Sequence, residues 1–164
     1  MACYTLSECV LEHLDEGRQY TSALLNIFAQ ENNYKIAIDA EEMIRTKYRL
    51  IAENQTDDGL RSAIISWMYL MTTFKPQKWE YFDVVDKKND IFLEVCCQTI
   101  DKALIVSSEN KCKWKNGIST DRLYSYNGTD IKILNKDDAI KELQETNTVK
   151  VISENINRNE NLNK

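Results

Sequence analysis

The chain has 164 residues, 43% hydrophobic and 29% charged, a size that buries one sizeable core and is short for two. Its formal net charge of -5 excludes a surface coated in cations for nonspecific nucleic-acid binding. Five cysteines without a C-x-x-C pair, beside the single histidine His13, support neither a disulfide framework nor a zinc centre.

No basic segment opens the sequence and no apolar run approaches the roughly 18 residues of a bilayer span, so a soluble, cytoplasmic protein with no membrane partner is expected. In S-E-C-V-L-E-H-L, Val10, Leu11 and Leu14 share a helical face, and Leu24, Leu25 and Phe28 follow at similar spacing. Two helices are therefore expected before Asn32. Residues 35–38 form a short apolar strand within K-I-A-I-D-A-E-E, and in the helix after it Met43, Ile44, Tyr48 and Ile51 line one face. Asp57-Asp58-Gly59 marks the start of L-R-S-A-I-I-S-W-M-Y-L-M, the most apolar helix, expected at the centre of the core.

After Pro76, the second half alternates more tightly. A strand is expected over 80–85, an amphipathic helix over 90–98 with Cys96 and Cys97 on different sides, and a fully buried strand over 102–106. A polar loop leads to a strand over 131–134 and a closing helix with Asp137 near its start. Strands alternating with helices predict one α/β domain over 1–152, three-layered and Rossmann-like, with a central, mostly parallel sheet. The Asn-rich stretch 153–164 reads as a polar, flexible tail.

Two of these strands run into acids: 36–38 into Asp39, and 104–106 through Ser107-Ser108 into Glu109, while Asp90 opens the intervening helix. If the two strands are neighbours, all three acids converge on the carboxyl edge, where ligands of parallel sheets gather. Clustered carboxylates repel unless a divalent cation neutralises them, and Mg²⁺ or Mn²⁺ there orients water against a phosphodiester. Helix capping explains each acid taken singly. Lys87 and Lys88 with Lys111, Lys113 and Lys115 form the one local basic patch, and Trp114 among those lysines suits either base stacking or loop anchoring. There is no G-x-x-x-x-G-K-[ST], G-x-G-x-x-G or G-x-S-x-G motif.

The succession D-I-F-L-E-V-C-C-Q, I-D-K-A-L-I-V-S-S-E-N and D-I-K-I-L-N-K-D-D-A-I-K-E-L resembles the C-terminal half of PIN domains. The resemblance implies a PIN-type Rossmann-like fold and a metal-dependent endoribonuclease of toxin or defence-effector type, with Asp39, Asp90 and Glu109 catalytic and Glu42 and Glu94 as further ligands of Mg²⁺ or Mn²⁺. Two registers fit the N-terminal half. In one, Y-K-I-A-I-D is the opening strand and Asp39 the family's first acid, with Glu42 or Asp58 as the second. In the other, C-Y-T-L-S-E-C-V-L is the opening strand, which puts Leu6 where the first Asp belongs and Lys47 where the family has Glu. That register implies a catalytically degenerate domain that needs no metal and binds RNA or a protein partner; a homo-oligomer is open under either. A small regulatory α/β domain whose acids hold no metal is the third reading.

Overall fold

The computed structural model of the chain describes residues 2–12, 18–30, 33–106, 123–135 and 138–144. Glu109, Lys111, Lys113, Trp114, Lys115, His13, Leu14, Asp137 and the stretch 153–164 lie outside them. The opening strand is β1 (Ala2–Leu6), followed by α1 (Glu8–Glu12), α2 (Arg18–Gln30), β2 (Tyr34–Asp39), α3 (Met43–Glu53) and α4 (Asp58–Phe74). Then come β3 (Trp79–Phe82), α5 (Ile91–Gln98), β4 (Ala103–Val106), β5 (Leu123–Tyr126), β6 (Thr129–Asn135) and α6 (residues 138–144).

The six strands form one sheet in the order β3-β2-β1-β4-β6-β5. All pairings are parallel except β5 with β6. With its helices the sheet makes a three-layer, Rossmann-like α/β fold. The opening run C-Y-T-L is thus a central strand, as in the register that opens on C-Y-T-L-S-E-C-V-L, and the two helices expected before Asn32 follow it as α1 and α2. β1 also separates β2 from β4. The strands that end in Asp39 and precede Glu109 are therefore not neighbours, contrary to the condition set for their convergence.

Local signals account for most of the other elements. In α4, Leu60, Ile64, Trp67 and Met71 are buried at helical spacing, and Asp57 caps the first turn by accepting from the Leu60 N–H at 2.9 Å. The opposite face departs from the expected central helix: Ile65, Tyr69 and Phe74 are exposed, the last two at 62% and 66%. β3 ends before Val85, which is 96% exposed. As the spacing predicts, Cys96 is buried and Cys97 half-buried.

β5 lies where a polar loop is expected, joined to β6 by Asn127-Gly128 with φ of 49° and 79°. Two consecutive positive φ angles make the hairpin turn whose twist matches that of paired strands, and Asn-Gly is its favoured sequence. Two aromatic groups fill the core. Tyr4, Phe28 and Tyr34 meet edge to face where β1, β2 and α2 pack, while Tyr48, Trp67, Trp79 and Phe92 join α3, α4, β3 and α5. Among the described residues no helix is long and apolar enough to cross a membrane.

Candidate functional site

The carboxyl edge is built from the residues that follow β1, β2 and β3. β1 connects outward to β2 while β4 lies on its other side, which makes β1 and β4 the switch point of the sheet. At this edge Ser7 donates its N–H to the Ile105 carbonyl at 2.9 Å, and its hydroxyl lies 3.2 Å from the Cys9 sulfur. Leu6, one residue earlier, is buried, and its carbonyl accepts from the Tyr48 hydroxyl. That bond ties α3 to β1.

Asp39 ends β2 and is 2% exposed. Its Oδ2 accepts from the Met43 N–H at 2.9 Å and its Oδ1 from the Ile44 N–H at 2.8 Å. Glu42, in the left-handed region at φ 63°, turns the chain between strand and helix, so Asp39 caps α3 from outside the usual capping position. Both oxygens are engaged by backbone donors that the helix otherwise leaves orphaned.

Asp90 caps α5, its Oδ1 accepting from the N–H groups of Phe92 at 2.9 Å and Leu93 at 3.4 Å. The Glu42 carboxylate turns to Arg45 at 3.1 Å. Glu94 accepts from Asn89 at 3.0 Å and from the Tyr126 hydroxyl on β5. Burial, and then that bond to a carboxylate, raise the Tyr126 hydroxyl above its ordinary pKa. The fold brings Asp39 and Asp90 to adjacent cavities that share Met43, Lys87 and Ile91. Glu42 pairs with Arg45, and Glu94 with Asn89 and Tyr126. Among the described residues no three His, Cys, Asp or Glu side chains gather into a group that could hold a metal ion.

Cations occupy the same edge. Lys47 lies 4.0 Å from Glu8, and Lys87 pairs with Glu41 at 2.6 Å. Lys47, Lys87 and Lys88 line one open cavity of about 350 Å³ together with Asn89, Asp90 and the first residues of α5. Its lining holds three cations to one carboxylate. Lys87 and Lys88, singled out in the sequence, are thus joined by Lys47 from α3. The K-Y-R ending pointed to Lys47 only as a missing acid, because nothing local shows that α3 packs beside the loop before α5.

A second groove, of about 250 Å³, runs between α3 and α4 and is lined by Glu42, Arg45, Thr46, Arg49, Met68, Tyr69, Thr72 and Thr73. The sequence reading missed it. The spacing of Arg45 and Arg49, one helical turn apart, was the available signal.

No family model, curated protein or solved structure matches the chain.

Proposed function

We propose that the chain is a degenerate PIN-like domain that holds RNA by its phosphodiester backbone at the carboxyl edge without cutting it. The observation that carries this reading is the cavity where Lys47, Lys87 and Lys88 converge on the start of α5. Lysines act on phosphate as mobile point charges. Asp39, meanwhile, spends both oxygens on α3. The Lys47 ammonium, 4.0 Å from Glu8, supplies the positive charge that a divalent ion would bring to this edge.

The test is titration of a labelled single-stranded RNA with the purified protein, in EDTA and then in Mg²⁺ or Mn²⁺. Binding in EDTA that weakens steeply with salt is expected, with Lys87→Glu and Lys88→Glu lowering affinity and flattening the salt dependence. RNA left intact with the metal present completes the expectation. Metal-dependent cleavage, abolished by Asp90→Asn, would overturn it in favour of an endoribonuclease that recruits Glu109. Absence of any binding would remove the RNA reading.

A further inference from the structure

We propose that the RNA strand continues from the carboxyl edge over α3 into the groove between α3 and α4, where Arg45 and Arg49 hold phosphate and Tyr69 stacks a base. This rests on the RNA reading of the carboxyl edge and adds a second, separately testable contact region. The start of α3 contributes to both cavities, Glu42 to the arginine groove and Met43 to the lysine cavity.

Three features of the groove suit a single-stranded nucleic acid. Arg45 is fixed in place: its guanidinium lies 5.7 Å from the centre of the Trp79 ring, pairs with Glu42 at 3.1 Å and reaches the Tyr81 hydroxyl at 3.3 Å. Arg49, four residues on, is exposed and makes no ion pair among the described residues. Like charges at this spacing repel on an isolated helix, and a phosphate between them reverses the sign of that interaction.

Across the groove, Tyr69 is 62% exposed and braced edge to face against Phe74, with ring centres 6.0 Å apart. An exposed aromatic beside cations is the arrangement by which single strands are held without sequence preference, bases on rings and phosphates on arginines. The hydroxyls of Thr72 and Thr73 line the same wall and supply donors suited to phosphate oxygens.

The experiment compares labelled RNA of about 4 and about 16 nucleotides, lengths at the ends of the range that one single-strand-binding module covers. The wild type should bind the longer strand more tightly. Tyr69→Leu and Arg49→Glu should each weaken the longer strand about tenfold and leave the shorter one unchanged, whereas Tyr69→Phe should retain wild-type affinity. Lys87→Glu should weaken both lengths. If Tyr69→Leu and Arg49→Glu leave both lengths at wild-type affinity while Lys87→Glu still acts, the second region is wrong and the carboxyl-edge reading survives. If the wild type binds neither length, both proposals fall. A change of oligomeric state in Tyr69→Leu with RNA affinity intact would assign this face to a protein contact and overturn the stacking role.

Discussion

Lys47 on α3 lies 4.0 Å from Glu8 on α1, and these two side chains bridge the two helices at the carboxyl edge. The pair is partly open to solvent, Lys47 at 40% and Glu8 at 13%, so it contributes at most about 1 kcal/mol to stability. Its weight is electrostatic: it keeps a fixed cation beside the acids of this edge. Lys47→Glu should leave the thermal midpoint within a few degrees of wild type, weaken RNA binding, and increase Mn²⁺ affinity as measured by calorimetry. Unchanged Mn²⁺ affinity would show that Lys47 does not stand in for a metal.

Asp39 predicts an unusual ranking of substitutions. Asn ordinarily caps a helix about as well as Asp, so an ordinary cap at this position would tolerate Asp39→Asn. Here each carboxylate oxygen accepts its own backbone N–H, so the Asn amide necessarily sets NH₂ against one buried donor. Asp39→Asn should therefore cost about 1–3 kcal/mol, and Asp39→Ala, which loses both acceptors, should cost more. Urea denaturation of the two variants measures the difference.

Stability should fall at alkaline pH. Tyr48 is held far above the ordinary tyrosine value of 10.0, chiefly by burial and then by Glu8 and Asp39, and Tyr126 is raised by burial and by Glu94. Below about pH 10 both residues are protonated in the folded and unfolded chains alike, and their contribution is fully present. Above it the unfolded chain releases protons that the fold retains, so unfolding is favoured progressively until the folded values are passed. Tyr126→Phe should make the decline between pH 9 and 11 shallower in denaturation midpoints, a window bracketing the ordinary tyrosine value of about 10.

Gly128 sits at φ 79°, and a methyl group there meets no atom within 4 Å. The penalty for Gly128→Ala is then one of backbone conformation alone, about 1 kcal/mol. Because β5 forms the outer edge of the sheet, faster amide exchange confined to β5 and β6 should accompany the loss.

By itself the sequence determined the kind of each element wherever a local period exists. The apolar run before Asp39 made β2, the i, i+4 pairing of Ile44 and Tyr48 made the buried face of α3, and Asp57 and Asp90 marked helix starts. Asn127-Gly128 is equally a local hairpin signal within the polar stretch before β6. The tertiary structure alone decided which strands are neighbours. C-Y-T-L reads as an opening strand in only one of the two registers, and its insertion between β2 and β4 depends on pairing with residues some 30 and 100 positions away. Likewise, no local pattern shows that both Asp39 oxygens bend back onto α3, or that Lys47 meets Lys87 and Lys88 around one cavity. Periodicity records which face of an element avoids water. Which elements then share an edge is settled by packing the whole sheet and its helices at once.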